Sequence, residues 1–554
     1  MKHRIWIFVL IMAGPGIGAG TAGADNNLVT TLLDVAQAND RSYVFTTPRD
    51  GWVFVADGDE ESMRWVRTGE HLVRGSAGRR LIVRAIPEII HCGVGYHPSP
   101  FLESFPKYNV AYLEKIGVFR NANVILERNP DPDFDIAKWR ASGKQIRVRA
   151  GSNEAEPEHI YDYWASHRGM TEPYDGIQIS EYDGWEGSPH LPHYRFLSDA
   201  ARRISADPRY AGKKIVPYTV AMYNSPESIA FLKTLFGLGH LQACERYIPE
   251  QPSLEKAKGE LYWMGWIMAK YREAMPGSQH HSILDLGFMS APPETLDNCP
   301  NANYLVFMDM QMHAVANEPA YKDLYGVMWY HTAYADEEAL RWSVKLLRHY
   351  CIEGNATVLS KDPYILAHLE NGDFANGAVG WTLDKAVPGS IGSMFVRGHK
   401  GLSYLQTRYP HVEQGQTFLW TKRSAQKPNR FGQTIRGLEP GRAYSLKMMV
   451  CDYQDLMQWR DNKQEHKPMV RIEGAQMLPA AVFREAFRSG RAGHGYEKFN
   501  NENNLWITYH RLVFRAVETT AQLTISDWQS PTDPGGPAGQ ELAFNYISVQ
   551  PYLE

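Results

Sequence analysis

The sequence lacks the short motifs that mark several common enzyme classes. Its 554 residues contain no Gly-x-Ser-x-Gly nucleophile elbow, no His-Glu-x-x-His zinc helix and no phosphate-binding loop. These absences weaken the esterase, metalloprotease and nucleotide-binding interpretations. The chain also has no Cys-x-x-Cys pair, so we do not expect a zinc site. Its five cysteines are an odd number, so at least one thiol would stay unpaired in an exported protein.

A strong excess of either charge is absent as well. The net charge is −4 and 22% of the residues are charged, which gives no whole-molecule reason to bind nucleic acid or an anionic membrane. We therefore expect no nucleic-acid partner. The composition is that of a globular protein, and the length predicts two or three domains. The 15 Trp and 30 Tyr would mostly fill the core, but aromatic side chains also suit stacking against sugar rings.

Long apolar runs are absent after the N-terminus. The chain begins MKHRIWIFVLIMAGPGIGAGTAGADNN, which has a basic start, an apolar run and small residues up to Ala24. This layout is typical of a secretory signal that is cleaved before Asp25. A membrane anchor is the alternative, but the apolar run is short and is broken by Gly and Pro. The sequence therefore predicts a signal peptide at 1–24, a secreted or periplasmic protein, and no integral membrane segment after cleavage.

The next part of the chain, residues 25–90, is predicted to form a small β-sandwich-like domain. The stretch RSYVFTTPRDGWVFVADG has the pattern of a hairpin, with its turn at 48–51 between β-branched and aromatic runs. Another strand follows in RRLIVRAIPEII.

From residue 91 to 355 the pattern becomes strand, loop, helix, repeated. Strand candidates are HCGVGY, NVILER, KQIRVRA, DGIQISE, KIVPYTVAM, HLQACERY, HSILDLGF and LYGVMWYH. Helical periodicity fills the gaps between them, which indicates parallel strands joined by helical crossovers. Eight such units match a (β/α)8 barrel, also called a TIM barrel. An open doubly wound sheet is the alternative, but it usually stops at five to seven strands, and no Gly-x-Gly-x-x-Gly follows the first strand.

Past residue 355 the helical pattern ends, and residues 366–554 read as an antiparallel β-sandwich. Three segments, LENGDFANGAVGW, FGQTIRGLEPGRAYSLKM and LAFNYISV, resemble in order and spacing the jelly-roll carbohydrate-binding modules of secreted polysaccharide-degrading enzymes. The resemblance implies a structural calcium, with Glu370, Asp373 and Asn545 as the positions to examine. Such modules also occur as purely structural sandwiches, so sugar binding by this domain stays open.

The middle of the chain, residues 88–354, resembles the catalytic barrel of a glycoside hydrolase of no assignable family. The similarity lies in the barrel pattern, the acidic end of the fourth strand and the VMWYH end of the eighth. The resemblance implies cleavage of glycosidic bonds in a polysaccharide or oligosaccharide, with no cofactor for catalysis. A non-catalytic carbohydrate-binding protein is the main alternative. A polysaccharide lyase that uses Arg246 with Tyr247 is a third possibility.

Two carboxylic residues are needed for glycoside hydrolysis, and active sites of these barrels lie at the carboxyl ends of the strands. The fourth strand ends at Glu181 and Asp183, although carboxylates are seldom buried unless paired. For the second acid the candidates are Glu245, Asp285 and Asp309. Glu245 is favoured because its place at the end of the sixth strand mirrors that of Glu181.

The proposed roles of the acids come from a further resemblance. Acids on strands four and six resemble the layout of α-galactosidase-like barrels, in which the fourth strand carries the nucleophile and the sixth the acid. Asp183 would be a substitute or helper. Simple alternation places Glu181 on the same face as Ile177 and Ile179, so this assignment requires the backbone to turn at the end of the strand.

Substrate-binding candidates are the aromatic, histidine and arginine side chains predicted at strand ends and in the long loop 181–194, namely Tyr96, Arg149, Trp185, Arg246, Trp329, Tyr330 and His331. Arginines beside the acids match an anionic sugar, such as a uronate or a sulfated polysaccharide, because the guanidinium fork fits carboxylate and sulfate groups. The alternative is that these arginines form ion pairs with Glu127, Glu181 or Glu245.

Overall fold

A computed structural model describes residues 26–94, 102, 108–150, 157–292, 295–395, 417–458, 460–488 and 505–554. The predicted signal peptide and the candidate Tyr96 lie outside these residues, so both stay predictions. Within the described ranges, no helix is long and apolar enough to cross a membrane. All five cysteines lie among the described residues, and each is buried.

The N-terminal part is a small two-layer β structure. Its strands are β1 (Thr30–Val35), β2 (Arg41–Thr47), β3 (Gly51–Asp57), β4 (Glu60–Val66), β5 (Gly69–Gly75) and β6 (Leu81–Ile86). One layer has the order β1-β6-β3-β4 and the other is the ribbon β2-β5, with Phe45, Val53 and Val83 in the shared core. The sandwich prediction is confirmed. The predicted β2–β3 hairpin is wrong, because the chain crosses from one layer to the other at 48–50 and the two strands pair elsewhere.

The central part is a closed barrel of eight parallel strands, as predicted. The strands are β7 (Glu88–Cys92), β8 (Val124–Leu126), β9 (Gln145–Ala150), β10 (Gly176–Asp183), β11 (Lys214–Val220), β12 (Gln242–Arg246), β13 (Ser282–Gly287) and β14 (Gly326–Tyr330). Pairing of β14 with β7 closes the barrel. The strands read as apolar runs because they are covered on both faces.

Nine helices are described around the barrel. They are α1 (Val110–Lys115), α2 (Val118–Asn121), α3 (Ile136–Ala141), α4 (Ile160–Ser166), α5 (Tyr194–Ala206), α6 (Pro226–Gly237), α7 (Leu254–Ala274), α8 (Tyr304–Asn317) and α9 (Glu337–Leu346). Polar side chains set their starts: Ser225, Ser253 and Asn303 accept hydrogen bonds from the first turns of α6, α7 and α8.

The base of the barrel holds a buried ion pair. Arg147 on β9 donates two hydrogen bonds of 2.6 Å to the carboxylate of Glu88 on β7, and neither side chain is exposed to solvent. These strands are separated by β8 in the barrel order, so the pair spans the interior. Its bidentate geometry offsets the cost of taking both charges out of water.

The C-terminal part is an antiparallel β-sandwich, which confirms the predicted architecture. Its strands are β15 (Thr382–Asp384), β16 (Ile391–Phe395), β17 (Thr417–Lys422), β18 (Arg430–Ile435), β19 (Ala443–Asp452), β20 (Met469–Glu473), β21 (Ala475–Met477), β22 (Phe483–Arg488), β23 (Trp506–Ala516), β24 (Ala521–Ser526) and β25 (Glu541–Pro551). One sheet has the order β15-β18-β24-β20. The other has the order β16-β17-β25-β19-β23-β21, with β22 paired to β23. A short helix, Tyr453–Gln458, follows β19.

This sandwich packs directly on the barrel through buried charges. Lys447 on β19 donates to Asp297, in the loop after β13, at 2.5 Å, and both side chains are almost fully buried. Arg511 on β23 pairs with Glu337 at the start of α9 at 2.5 Å. Every residue of β19 is buried, so this strand is covered on both of its faces.

Breaking the basal ion pair from one side should destabilise the fold. Glu88→Leu leaves the Arg147 guanidinium buried and unpaired, so we expect a loss of about 3–5 kcal/mol in the free energy of unfolding. The double variant Glu88→Leu/Arg147→Met removes both charges and should recover most of that loss. Urea unfolding monitored by tryptophan fluorescence measures both.

The matched control for the basal pair is Glu60→Leu. It removes the partner of Arg79 in an exposed ion pair of 2.9 Å and should change stability far less than Glu88→Leu does, because solvent screens exposed charges. An equal loss in Glu60→Leu and Glu88→Leu would contradict a special role for the basal pair.

Candidate active site

A β-bulge aims Glu181 into the barrel mouth. Ile179 pairs with Pro217 and Tyr182 pairs with Thr219, so Ser180 and Glu181 together oppose one residue of β11. Before the bulge Gln178 faces the interior, where its amide lies 3.8 Å from the Met328 sulfur across the barrel. After it, Tyr182 faces outward.

The aromatic contacts of Tyr182 show this change of face. Its ring packs against Tyr194 and Phe231 on the surrounding helices. Without the bulge, Tyr182 would share the inward face of Gln178, because side chains alternate along a strand. Because of the bulge, Glu181 faces inward instead. This is the change of backbone direction that a catalytic role for Glu181 requires.

Glu245 lies at the matching end of β12. Burial and the nearby charge of Glu181 together raise its pKa from 4.5 to about 8, against the opposing charges of Arg246 and Arg149. A carboxyl with this pKa is protonated at neutral pH and can donate a proton. The two glutamates predicted to act together are therefore close enough to influence each other.

Asp285 on β13 is a third acid beside this pair. It is paired in register with Glu245 and is fully buried. Burial and the Glu245 charge raise the pKa of Asp285 well above its ordinary value, although a hydrogen bond from Tyr247 and the charge of Arg149 act in the opposite direction. The Tyr247 hydroxyl donates to Asp285 at 3.0 Å.

Arg149 is the cation of the site. Its guanidinium donates to the Tyr330 hydroxyl at 2.9 Å and lies 5.1 Å from the centre of that ring. Among the described residues no carboxylate lies within 4.0 Å of it, yet its charge lowers the pKa of both Glu245 and Asp285. Arg149 therefore balances several acids without being paired to one.

Aromatic rings form the floor around Arg149. Tyr330 stacks on Tyr247 with ring centres 5.4 Å apart and meets Tyr218 of β11 edge to face at 6.2 Å. His331 lies beside Tyr330 and is buried. Of the predicted sugar-contacting residues, Tyr330 and Arg149 are thus placed at the mouth of the barrel with the acids.

Other predicted site residues lie elsewhere. Trp329 is 1% exposed and packs against Phe288 on the helix side of β14, since its neighbours along the strand face inward. Arg246 also points outward, among Tyr223, Tyr271 and Tyr321. These two placements correct the prediction that both side chains line the sugar site.

Asp183 is the last residue of β10, and Trp185 lies in the loop that follows. The carboxylate of Asp183 lies 3.3 Å from the His190 ring, and its backbone carbonyl accepts a hydrogen bond of 2.5 Å from Tyr194. Trp185 is exposed. Asp183 thus orders the loop, while Trp185 is free to contact a ligand.

Of the two predicted arginines, Arg149 and Arg246, Arg149 alone points into the described site, and the nearby Arg147 and Arg128 do not join it. Arg147 is fully engaged by Glu88, and Arg128 is exposed at the end of β8. Glu127 instead accepts hydrogen bonds from the backbone of Arg128 and Asn129. Arg147 does form an ion pair, but its partner is Glu88 and not one of the predicted partners Glu127, Glu181 and Glu245.

Sequence reasoning missed Tyr218 and underrated Asp285. Alternation along β11 and β13 carries the signal for both, because Tyr218 and Asp285 are polar at positions that face the interior of a closed barrel. Asp309, a weaker candidate, lies in α8 as expected from its helical pattern. It accepts hydrogen bonds of 2.6 Å from Tyr350 and from the backbone of Ser360, which is a structural role.

The structural calcium implied by the jelly-roll resemblance stays a prediction, and of its three implied positions Asn545 is engaged within the fold. The Asn545 amide donates to the backbone carbonyls of Thr417 and Asp373, and its oxygen accepts from the Tyr546 backbone at 2.5 Å. Its oxygen is thus already engaged. In the part of the chain that is described, no group of three or more His, Cys, Asp or Glu could hold a metal ion.

Comparison with known proteins finds similarity at the level of solved structures. No family model and no curated protein match the chain. An endo-β-N-acetylglucosaminidase from Cordyceps militaris is similar over 47% of this chain and 90% of its own, with 10% identity and a TM-score of 0.31. A glucosidase from Croceicoccus marinus is similar over 80% of this chain and 96% of its own, with 11% identity and a TM-score of 0.27.

A third similarity concerns a shorter chain. TmCBM61 in complex with β-1,4-galactotriose matches 33% of this chain and 97% of its own, with 12% identity and a TM-score of 0.17. Glycoside hydrolases and carbohydrate-binding modules are the two classes that the sequence resembles. TM-scores of this size leave the activity to be argued from the site itself.

The raised pKa of Glu245 predicts a pH-dependent gain in stability for Glu245→Gln. Between pH 4.5 and about 8 the folded protein keeps a proton that the unfolded chain has released, so the wild type loses stability as pH rises. The variant has no such proton. We expect its melting temperature to exceed that of the wild type at pH 8, with the difference shrinking toward pH 4.5.

Glu186→Gln is the control for this measurement. Glu186 is an exposed glutamate in the loop after β10, so its replacement should leave the difference in melting temperature from the wild type unchanged across the same pH range. A gain in Glu245→Gln that does not depend on pH would contradict the assignment.

Proposed function

We propose that the protein is a secreted glycoside hydrolase that cleaves glycosidic bonds in a polysaccharide or oligosaccharide. The observation that carries the proposal is the coupled pair at the barrel mouth, in which the charge of Glu181 helps to keep Glu245 protonated. Glycoside hydrolysis needs one protonated and one charged carboxyl group at the same bond. The predicted signal peptide supports export.

In this mechanism Glu245 donates its proton to the glycosidic oxygen as the bond to the anomeric carbon breaks. Glu181 either attacks that carbon or takes a proton from the water that does so. The negative charge left on Glu245 is stabilised by Arg246 and Arg149, whose charges already lower the pKa of this carboxyl. A separation of about 5–5.5 Å between the two carboxyl groups would favour retention and about 6.5–9.5 Å inversion.

An anionic sugar as substrate is supported by Arg149 alone. Its guanidinium lies in the site and, among the described side chains, has no carboxylate within ion-pair distance. A uronate or sulfate would supply that partner. The lyase alternative is less well supported, because Arg246 and Tyr247 point to opposite faces of the barrel wall.

Activity should depend on both glutamates. The mature chain from Asp25 would be incubated with neutral, uronic and sulfated polysaccharides, and reducing ends would be counted. We expect release by the wild type and a loss of about a hundredfold or more in both Glu181→Gln and Glu245→Gln, because each removes one half of the acid–base pair. Glu186→Gln should behave as the wild type.

Other results of this assay would redirect the proposal. Release that survives both substitutions places the chemistry at another part of the barrel. Products that absorb in the ultraviolet indicate a lyase. Retention on a polysaccharide without any release favours the non-catalytic binding protein.

The pH–rate profile should follow Glu245. Because the acid must be protonated, kcat/KM should fall above pH 8, near the pKa of this group. Arg149→Gln removes a charge that lowers this pKa, so the basic limb should move to higher pH, whereas Arg149→Lys should keep it near its original place. If kcat/KM falls at the same pH in Arg149→Gln as in the wild type, Glu245 is not the acid.

A further inference from the structure

A cavity of about 620 Å³ lies between the N-terminal β structure and the base of the barrel. Trp52 and Trp65 line it from the N-terminal side, and Lys214, Leu241 and Tyr325 line it from the barrel. Cavities that bind ligands commonly measure about 300–1,000 Å³ and often lie between domains. This basal cavity faces the starts of the barrel strands, so it is separate from the proposed active site at their ends.

Lys214, the first residue of β11, brings a positive charge to the basal cavity. One of its three N–H groups donates to the backbone carbonyl of Gly239 at 2.6 Å. With the residues that the structure describes, the ammonium forms no ion pair. Burial and the charge of Arg147 lower its pKa, against the charges of Glu88 and Asp50. The remaining N–H groups are therefore suited to an anion, whose charge would offset the cost of holding this cation.

Arg49, a second cation in the lining, is already engaged. Its guanidinium donates to Nδ1 of His280 at 2.7 Å and to the backbone carbonyl of Asp323 at 3.2 Å. It also lies 3.8 Å from the carboxylate of Asp323, so these two charges offset each other. Of these two lining cations, Lys214 is the one left to bind an acid.

His281 adds a hydrogen-bond acceptor to the same lining. Its Nδ1 donates to the backbone carbonyl of His240 at 3.2 Å, and its ring stacks on Phe236 with centres 4.9 Å apart. Burial lowers the pKa of His281, so the neutral ring carries its hydrogen on Nδ1 and Nε2 can accept from a hydroxyl. Trp65 and Tyr325 are half-buried and supply aromatic surface that suits a sugar-like ring.

We propose that the basal cavity binds a hydroxylated organic acid of sugar size, such as a uronate. Its carboxylate accepts hydrogen bonds from Lys214, a hydroxyl donates to Nε2 of His281, and its ring packs on the aromatic lining. A bare inorganic anion would leave the acceptor and the aromatic surface unused. A neutral sugar would leave Lys214 without a counter-charge. This inference goes beyond the proposed hydrolase activity and does not depend on it.

Thermal unfolding with glucuronate as the probe tests the proposal. A ligand that binds only the folded state raises the melting temperature, so we expect a rise in the full-length protein at glucuronate concentrations up to about 20 mM. Glucose lacks the acid and acetate lacks the ring, so each should raise the melting temperature far less. The absence of any rise with glucuronate, or an equal rise with glucose or with acetate, would overturn the inference.

Lys214→Met should weaken glucuronate binding at least about tenfold, because the charge-assisted hydrogen bonds are lost. Without ligand, its melting temperature should be no lower than that of the wild type, since the substitution removes a cation that burial disfavours. Lys233→Met, which replaces an exposed lysine on α6, is the control and should bind glucuronate as the wild type does. An unchanged affinity in Lys214→Met would contradict the assignment.

A second measurement does not depend on the folding of Lys214→Met. In wild-type protein with ¹³C-methylated lysines, the NMR signal of Lys214, assigned with Lys214→Arg, should report a higher pKa when glucuronate is added, because a bound carboxylate favours the ammonium. A Lys214 signal that does not respond to glucuronate would sink the proposal.

Arg149→Gln distinguishes the basal cavity from the barrel mouth. This variant removes the cation of the proposed active site and should leave the effect of glucuronate on the melting temperature unchanged. If Arg149→Gln abolishes that effect and Lys214→Met does not, the ligand binds at the barrel mouth and the inference fails, while the proposed hydrolase activity stands.

Discussion

The buried pair of Glu88 and Arg147 fixes which residues of β9 face the barrel interior. An unpaired charge at the base would be strongly unfavourable, so Arg147 cannot turn away without a large loss of stability. Arg149 follows two residues later and therefore shares the same face. It reaches the open end of the barrel, where its charge lowers the pKa of Glu245 and Asp285. A structural contact at the base thus positions a functional cation at the mouth.

The buried acids at the two ends of the barrel differ in how their charges are balanced. At the base, Glu88 is held by two charge-assisted hydrogen bonds. At the mouth, Glu245 and Asp285 share the influence of Arg149, and the charge of Glu245 raises the pKa of Asp285. A full ion pair there would stabilise the fold but would leave no protonated acid at neutral pH. The lack of a full ion pair at the mouth costs stability. It also keeps Glu245 protonated, so that this residue can donate a proton.

The eight barrel strands could be predicted because each is a short apolar run covered on both faces. Glu181 and Glu245 could be found because they stand where those runs end. The bulge at Ser180 and Glu181 could not be predicted, because it is defined by the pairing with β11 and no local sequence pattern marks it. The pairing of β2 with β5 was missed for the same reason. The outward direction of Arg246 and Trp329 could have been predicted from the sequence, because side chains alternate along a strand and Glu245 and Tyr330 face inward.

The C-terminal sandwich completes the site from outside. Lys447 holds Asp297 in the loop after β13, and the Cys299 backbone in that loop donates to Glu250 at 2.6 Å. Glu250 belongs to the loop after β12, so one buried cluster joins the segments that follow both acid-bearing strands. Burial and the charge of Asp297 raise the pKa of Glu250 well above its ordinary value, which favours the protonated form of Glu250. Because β19 carries Lys447 and is buried on both faces, this part of the sandwich supports the loops that follow β12 and β13.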